Sequence, residues 1–504
     1  MQNNNNELVF GLVAPLGVDL FDATEAIERV LAACGYESAR VSLSQFLHED
    51  TIVFEGALPT GLDDHIDQHQ GAGNNLRMKM GRNDAVALGA LLRINIARKE
   101  KDAKKLAFIV RQLKTPDEVK LLRKVYRERF VLIGIYAEKD KRKEWLSRQI
   151  AKSKDEGANW TKFEDSAKRL IDRDEAEATA FGQQARETYA FADLFATWAG
   201  SQEEIRLPKE RKFETQVERF VHGLLGDPLC VPTTEEFLMF QARAVALRSA
   251  DLARQVGAII ATTDGSVIAV GRNDDPRVGG GVVSRREKED PAQDLKRQTI
   301  KEVLDCIADW IKPEYLEKGT KRLAEDAAMT NLRSSRLMGL GEFGRMVHAE
   351  MAAIADAASR GVPVKDQIIF CTTFPCQNCA KHLMAAGIRA LVHIEPYPKS
   401  LVLDMYPKET AELPMEPLAS DDFAKQMKNH KDKFLLLNFM GVAPRRYAQM
   451  FEMPRRKDDS GNPLKWKSQT AEPKLLSSVG PVEHSTWELQ EAIALNPFLK
   501  KSIA

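Results

Sequence analysis

Short apolar runs alternate with amphipathic segments in the first part of the chain. These runs are 8–13, 107–110 and 131–136. Each is short and apolar enough to be a buried strand, and the first ends in a turn at 14–17. Apolar residues at helical spacing predict helices over 22–34 and 115–128. Strands that alternate with helices predict a parallel sheet covered on both faces.

The second part of the chain has a different order of elements. A helical pattern covers 234–255. Two strand patterns, 256–261 and 267–271, flank the tight turn Thr263-Asp264-Gly265, which predicts a hairpin. Helices at His348 and Cys376 then alternate with strands near 367–373 and 390–394. The order predicts an α/β/α sandwich.

Length predicts how these elements divide. A chain of 504 residues exceeds what one hydrophobic core usually supports, so we expect two α/β domains. A charged helical segment at 209–225 favours a boundary near 226–228 and hence domains over 1–226 and 227–504. The second domain is predicted to hold a polar insertion at about 274–339, with a helix near 293–311, and a C-terminal extension from 451.

The most specific chemistry lies in two short motifs. His348-Ala349-Glu350 is followed by Pro375-Cys376-Gln377-Asn378-Cys379. One imidazole and two thiolates supply three ligands for Zn²⁺ and leave a fourth tetrahedral position for water. Glu350, two residues after the histidine, is placed to carry protons without binding the metal. H-x-E followed by P-C-x-x-C is the signature of zinc-dependent nucleobase deaminases.

Two other interpretations of the cysteines fit less well. A structural zinc site needs a fourth protein ligand, and the nearest candidate, Cys371, stands in an apolar run typical of a buried strand. A redox Cys-x-x-Cys pair leaves His348 and Glu350 without a role. The deaminase interpretation accounts for all four residues.

Composition bears on the binding partners and on the cellular location of the protein. The 73 basic and 73 acidic residues cancel, so no global field attracts nucleic acid or a membrane. Six cysteines form no disulfide framework, the N-terminus is polar and rich in asparagine, and no apolar run reaches the roughly 20 residues of a membrane span. These features predict a cytoplasmic protein.

Beyond the zinc motifs, Val256-Gly257-Ala258, the Gly271–Asn273 run and Ala386-Gly387-Ile388 resemble the deoxycytidylate deaminase family over about 235–400. The resemblance implies a cytidine-deaminase-like fold, zinc held by His348, Cys376 and Cys379, Glu350 as the acid and base, and Asn273 on the deoxyribose. Ala352 departs from the pattern, because many dCMP deaminases have Asn there.

Further substrate contacts are expected near the metal. Thr373 and Phe374 precede the cysteine motif, where a peptide group of Ala349 or Thr373 would orient the amino group and the Phe374 ring would form a wall of the base pocket. Arg345 precedes the zinc histidine and is a candidate for a phosphate. Other roles remain open for these residues: a plain turn residue for Asn273, packing in the core for Phe374 and a solvated surface charge for Arg345.

The layout of the whole chain resembles bacterial anti-phage dCTP deaminases, which join a P-loop-kinase-like domain to a deaminase domain. The segments that carry this resemblance are 341–347 and 395–401. It implies depletion of dCTP in antiviral defence, a homo-oligomer, and an inhibitory small RNA as partner.

The N-terminal domain is predicted to be a kinase-like scaffold that serves regulation. Residues 111–119 resemble a segment of nucleotide kinases, but Val18 and Asp19 stand where a P-loop needs Lys and Ser/Thr. Phosphoryl transfer is therefore not expected. Gly11 and Gly17 are the candidate contacts for a nucleotide effector.

Two other classes of function remain open at this stage. A deaminase of RNA or single-stranded DNA would favour a basic groove with exposed aromatic residues, against which balanced charge and 7% aromatic content count. A non-catalytic RNA-binding scaffold with structural zinc would have no use for Glu350.

Overall fold

A computed structural model gives the fold and describes these residues: 6–54, 57–101, 103–175, 177, 182–198, 212–284, 291–307, 310, 344–474 and 481–501. The chain divides into two compact units. The first consists of Met1–Phe240, Leu413–Ser420 and Asn438–Ala504, and the second of Gln241–Glu412 and Asp421–Leu437. Both combine helices with a six-stranded sheet, which confirms the α/β class.

A largely parallel sheet forms the centre of the first unit. Its strands are β1 (Asn6–Val13), β2 (Glu37–Ser42), β3 (Lys105–Arg111), β4 (Phe130–Tyr136), β5 (Leu194–Thr197) and β14 (Gly441–Val442). They lie in the order β14-β5-β4-β1-β3-β2, and all pairs except β14 with β5 are parallel. Seven of the eight residues of β1 are buried, as expected for a strand covered on both faces.

Helices surround this sheet. They are α1 (Leu20–Ala33), α2 (Leu43–Glu49), α3 (Leu62–Met80), α4 (Ala85–Glu100), α5 (Pro116–Tyr126), α6 (Lys139–Ser153), α7 (Glu164–Glu175), α8 (Ala185–Tyr189), α9 (Lys212–Leu224), α16 (Pro444–Phe451) and α17 (Pro481–Ala492), with 3-10 turns at Arg127–Arg129, Gly157–Phe163 and Ile493–Phe498. The predicted first three strands and the helices between them are confirmed to within a few residues. Strands β2 and β5 escaped prediction because β2 alternates in burial without large apolar residues and β5 has four residues.

The second unit contains a mixed sheet. Its strands are β6 (Gly257–Ala261), β7 (Val267–Arg272), β10 (Ile368–Thr373), β11 (Ala390–Glu395), β12 (Thr410–Pro414) and β13 (Phe434–Asn438), in the order β12-β13-β11-β10-β6-β7. The hairpin of β6 and β7 is antiparallel as predicted, with Gly265 N–H donating to the Thr262 carbonyl in its turn. Strands β10 and β11 are parallel. A small antiparallel pair, β8 (Asp275–Pro276) with β9 (Val282–Val283), stands apart.

Two glycines let helices lie flush on this sheet. The helices of the second unit are α11 (Pro291–Ile307), α12 (Ala349–Ser359), α13 (Gln377–Ala385), α14 (Val402–Met405) and α15 (Asp421–Asn429), and α10 (Thr234–Ala246) crosses the boundary between the units. A Cβ on Gly257 would come within 2.1 Å of the Ala242 carbonyl oxygen, and one on Gly271 within 2.1 Å of the Ala349 carbonyl oxygen. Only glycine permits such close helix–strand approach.

Some sequence expectations need correction. The helix predicted over 234–255 ends at Ala246, and the remaining residues form a loop. Residues 438–504 belong with the first unit, so the units differ from two consecutive domains split near 226–228.

Other expectations lie partly outside the described residues. These include much of the insertion at about 274–339, the end of its helix beyond Ile307, and residues 341–343 of the segment before His348. The P-loop-kinase-like character of the first unit stays a prediction. In the part of the chain that the structure describes, no helix is both long and apolar enough to cross a membrane.

Candidate metal centre

Two helix starts bring the predicted ligands together. His348 is the N-cap residue of α12, and Cys376 is the N-cap residue of α13. The Cys376 sulfur accepts the backbone N–H of Cys379 at 3.4 Å, which fixes the first turn of α13. Because partial positive charge gathers at a helix N-terminus, the N-cap position of Cys376 favours the thiolate form of this cysteine.

The distances fit one tetrahedral metal ion. The His348 Nδ1 lies 3.4 Å from the Cys376 sulfur and 3.3 Å from the Cys379 sulfur. Zn–N and Zn–S bonds at a tetrahedral angle place N and S about 3.6 Å apart. Among the described residues no fourth His, Cys, Asp or Glu joins this group, whose ligand atoms all lie within 4.8 Å of one another. The set is that of a catalytic site, with one position left for a non-protein ligand.

The cluster lowers the pKa of one cysteine and raises the pKa values of the histidine and of the other cysteine. Hydrogen bonding with Cys379 and with His348 lowers the pKa of the Cys376 thiol to about 4, against the opposing effect of burial. The hydrogen bond to Cys376 raises the pKa of His348 to about 9. Hydrogen bonding to Cys376, with burial, raises the pKa of Cys379 well above its usual value. Since a metal ion needs deprotonated ligands, its binding would displace protons from His348 and Cys379.

Glu350 lies beside the ligands without joining them. It is in the first turn of α12 and is 4% exposed. Burial raises the pKa of its carboxyl group, and the charge of His348 opposes that effect. A carboxyl group of raised pKa beside the ligand atoms is suited to take up and release a proton, as a general acid and base must.

Backbone pairing fixes the position of His348. Val347 and Asp274 form an isolated antiparallel bridge, in which the Val347 N–H donates to the Asp274 carbonyl at 2.9 Å. The close contact of α12 with β7 at Gly271 lies next to this bridge. Residues from sequence-distant segments, 271–274 and 347–350, are thereby held side by side.

Asn273 is placed at this junction, as its position after β7 suggested. Its Oδ1 accepts the Val256 N–H at 2.7 Å, and its Nδ2 donates to the Arg254 carbonyl at 2.6 Å. The side chain is 6% exposed. The amide therefore holds the loop before β6, and the predicted deoxyribose contact stays a prediction.

Thr373 and Phe374 lie at the end of β10. Thr373 is 6% exposed, and its hydroxyl donates to Glu395 Oε2 at 3.4 Å. The Phe374 N–H donates to the Glu395 carbonyl, and its ring stands edge-on to the buried His393 ring at 4.9 Å between centroids. Cys371, on the same strand, is buried, as expected for a cysteine that is not a ligand.

Arg345 comes near the same edge of the unit. Its Nη2 lies 3.3 Å from Asp275 Oδ1, and its side chain is 39% exposed. Asp275 follows Asn273 by two residues, so the guanidinium group stands near the segment that positions His348. A phosphate contact by Arg345 stays a prediction.

The loop 247–256 was missed by sequence reasoning because its pattern continues that of α10. Asp251 Oδ1 accepts the N–H groups of Ala253 and Arg254 at 2.7 and 3.2 Å. The Ser249 hydroxyl donates to the Asn273 carbonyl at 2.7 Å. The run Ser249-Ala250-Asp251, whose Ser and Asp side chains compete for backbone N–H groups, was the available signal.

Gly11 and Gly17 lie in the first unit. A Cβ on Gly11 would meet Leu113 and Phe130 at 2.7 Å. Gly17 has φ +96°, and a Cβ there would meet Arg142 at 2.7 Å. Packing accounts for both glycines. Their predicted contact with a nucleotide effector stays a prediction.

Sequence comparison connects this geometry with known proteins. Residues 232–395 match the family model of the cytidine and deoxycytidylate deaminase zinc-binding region. The deoxycytidylate deaminase of Enterobacteria phage T2 is 30% identical over 146 residues, which are 29% of this chain and 71% of that protein. ComE operon protein 2 of Bacillus subtilis (strain 168) is 29% identical over 102 residues, 19% of this chain. The chain spans about half the length of that relative, 51%.

Solved structures give a weaker likeness. The dCMP deaminase of cyanophage S-TIM5 in apo form has 16% identity and a TM-score of 0.20, and the match covers 40% of this chain and 95% of that one. Its complex with dCMP and dUMP has 18% identity and a TM-score of 0.21 over the same shares. The zinc-binding family region, together with the His348, Cys376 and Cys379 group, confirms the prediction of a zinc cofactor.

Proposed function

Because the chain belongs to the cytidine and deoxycytidylate deaminase family, we propose that it removes the amino group of cytosine in free deoxycytidine nucleotides by hydrolysis. The products are the deoxyuridine nucleotide and ammonia. The observation that carries this proposal is the convergence of three metal-ligand atoms within 4.8 Å, with Glu350 buried beside them. Family relatives share this zinc-binding region.

The chain's own residues divide the chemistry between them. His348, Cys376 and Cys379 hold the metal, and bound Zn²⁺ supplies Lewis acidity that makes water reactive at neutral pH. Glu350 takes one proton from the attacking water and passes it to N3 of cytosine as the water oxygen bonds to C4. It then takes the second proton from that C4 hydroxyl group and gives it to the amino group, which leaves as ammonia when the C4–N bond breaks. Its burial keeps bulk water away from this proton exchange.

Residues around the metal would orient the base and the sugar. We assign Phe374 to the wall of the base pocket and Thr373 to its polar edge, because both end β10 directly before the cysteine motif. Asn273 uses one N–H and one lone pair on the backbone, so a second N–H and a second lone pair are left for a deoxyribose hydroxyl. Arg345 is assigned to a phosphate.

The substrate we propose is dCTP, with dCMP as a second substrate. The resemblance of 341–347 and 395–401 to anti-phage dCTP deaminases supports the triphosphate, and Ala352 in place of Asn departs from many dCMP deaminases. The relatives named deoxycytidylate deaminases support the monophosphate. Depletion of dCTP would make the enzyme an antiviral effector, with the first unit as its regulatory part.

The test is an activity assay with zinc-loaded full-length protein. Incubation with dCTP, dCMP, CTP and a cytosine-bearing oligonucleotide, followed by detection of uracil products, separates the classes of substrate. We expect conversion of the free deoxynucleotides. Conversion of the oligonucleotide alone would identify a polynucleotide deaminase and overturn the proposal.

Glu350→Gln tests the mechanism in the same assay. Removal of a general acid and base is expected to lower kcat by about 10²- to 10⁴-fold, while the zinc content stays at the wild-type value because Glu350 is not a ligand. The matched control is Glu412→Gln, a carboxylate outside the metal centre. Full activity in Glu350→Gln would contradict the assigned proton carrier.

A further inference from the structure

The loop before β6 is held rigidly by polar contacts on both sides. Asp251 caps the N–H groups of Ala253 and Arg254, and the Gln255 side chain donates to the Ser249 carbonyl at 2.9 Å. Asn273 binds the Arg254 carbonyl and the Val256 N–H. Such a loop keeps the Cα–Cβ direction of Arg254 fixed.

The Arg254 side chain extends from this loop to the end of β11. Its Nη1 lies 3.4 Å from the Pro396 carbonyl oxygen and 4.0 Å from Glu395 Oε2. These are long contacts, and the side chain is 45% exposed. An ion pair of this length and exposure contributes little to stability, so folding alone does not account for the position of the guanidinium group.

This side chain stands at the rim of the metal centre. The Asp251 carboxylate, three residues before Arg254, acts electrostatically on His348. On the other side, Glu395 accepts the hydroxyl of Thr373, which ends the strand before the cysteine motif. Tyr397, two residues after Glu395, lies within electrostatic range of Arg254, Cys376 and Cys379. Arg254 thus bridges two segments that both flank the ligands.

We propose that Arg254 binds the 5′-phosphate of the nucleotide substrate and so makes the site prefer nucleotides to nucleosides. The proposal rests on the proposed deaminase function. The guanidinium group contacts Pro396 and Glu395, and a bound phosphate would replace these two long contacts with paired, charge-assisted hydrogen bonds. Arginine suits this exchange because its planar fork matches phosphate oxygens.

Glu395 gives the exchange its selectivity. Its carboxylate is 34% exposed and keeps a hydrogen bond from Thr373 when Arg254 leaves. A nucleoside offers no charge to draw Arg254 away from Glu395, whereas a phosphate does. Both dCMP and dCTP have a 5′-phosphate. An equal effect of an Arg254 substitution on the two nucleotides would indicate a contact with this first phosphate alone, and a larger effect on dCTP would indicate further contacts with its other phosphates.

The experiment compares steady-state kinetics of wild type, Arg254→Ala and Arg254→Lys on deoxycytidine, dCMP and dCTP. For Arg254→Ala we expect KM for dCMP and dCTP to rise about 10- to 100-fold, with kcat nearly unchanged and kcat/KM for deoxycytidine unchanged. Arg254→Lys keeps the charge and should recover part of the loss. Arg455→Ala, which removes an exposed arginine paired with Asp459 in the first unit, is the charge-matched control.

Two outcomes would overturn the inference. Equal losses on all three substrates would mean that Arg254 only shapes the loop, and unchanged KM for both nucleotides would mean that it does not touch phosphate. Zinc content and circular dichroism identify a variant that has failed to fold, in which case Arg254→Lys decides. If wild type deaminates nothing, the proposed function fails, and equilibrium binding of dCMP to wild type and Arg254→Ala still tests the contact.

Discussion

Each unit has a junction where a buried strand runs into the N-terminus of a helix, and the two junctions are used in opposite ways. After β1, the Leu16 N–H donates to Asp174 Oδ2 at 2.9 Å, and Asp19 caps the first N–H groups of α1. After β10, Cys376 caps α13 while its sulfur, with Cys379 and His348, converges on one point. At the junction after β1, side chains of the protein accept the backbone N–H groups. At the junction after β10, side chains form a group of candidate metal ligands.

The first junction is filled by charged side chains. Lys114 lies 2.7 Å from Asp174, and Arg142 donates to the Leu16 and Ala137 carbonyls and to Glu175. The Asp174 carboxylate therefore accepts a hydrogen bond from the Leu16 N–H, a backbone group of the kind that donates to phosphate in a P-loop. The comparison teaches that a strand, a turn and a helix start do not make a site, because the side chains that surround them decide whether the donors are free.

The largest effect is expected from a substitution at the junction after β10, where the candidate metal ligands lie. Cys379→Ala removes a metal ligand, so the purified protein should lose its zinc and more than about 1000-fold of its activity, since the metal supplies several kcal/mol of transition-state stabilisation. Metal analysis and the dCTP assay measure both. Cys34→Ala, a buried cysteine of the first unit outside the metal group, is the control. Retained zinc and activity would show that the cluster is not the metal centre.

A substitution at the junction after β1 should lower the free energy of unfolding without removing the metal or the activity. Arg142→Ala removes the partner of Glu175 Oε1 at 2.8 Å, while Arg186 still binds Glu175 Oε2, and takes a donor from two carbonyls. The loss of these buried hydrogen bonds is expected to lower the free energy of unfolding by about 2 kcal/mol. Arg148→Ala, on the same helix with a half-exposed pair to Glu144, should cost less than about 1 kcal/mol.

Chemical denaturation and zinc content test this contrast. Zinc content should be the same in both variants and in wild type. Two results would contradict the contrast between the junctions after β1 and β10. One is a loss of zinc in Arg142→Ala, and the other is equal stability of the two variants.

A smaller effect is expected from a buried histidine of the second unit. Behind Phe374, the His393 ring is 4% exposed and, among the described residues, has no hydrogen-bond partner. Burial lowers its pKa to about 3, whereas the unfolded value is about 6.5. The unfolded chain therefore takes up a proton first as the pH falls, and stability is lost below about pH 6.5.

His393→Leu should remove this response. Between pH 7.5 and 5.5 wild type is expected to lose about 1.4 kcal/mol more than the variant in chemical denaturation. His382→Leu, at an exposed position on α13, is the control and should keep the wild-type slope. The same pH dependence in His393→Leu and wild type would contradict a neutral, buried imidazole in the folded protein.

Prediction from sequence worked where local pattern and local chemistry coincide. The hairpin of β6 and β7 has a turn that its sequence dictates, and β1 is an apolar run that can only be buried. The candidate metal ligands could be predicted from the sequence because a Cys-x-x-Cys spacing places both sulfurs at one helix start. Each of these depends on residues close together in the chain.

Prediction failed where distant residues decide. The helix predicted over 234–255 stops at Ala246 because Asn273 and Asp251 take the backbone groups of the following loop. Strand β14 joins the first sheet although more than two hundred residues separate it from its partner β5, since edge pairing depends on the folded neighbour. The burial of Arg142 likewise depends on distant residues, because it binds Glu175 and the Leu16 and Ala137 carbonyls.

The sequence by itself determined the α/β class, the zinc cofactor and the four residues of the H-x-E and P-C-x-x-C motifs, because periodicity and short spacing are properties of the chain. Only the tertiary structure decided that the 14–19 junction is filled by Asp174 and that Arg254 stands at the rim of the metal centre. Hydrogen bonds and ion pairs between distant residues form only in the folded chain, and they determine which charged groups remain available to a ligand.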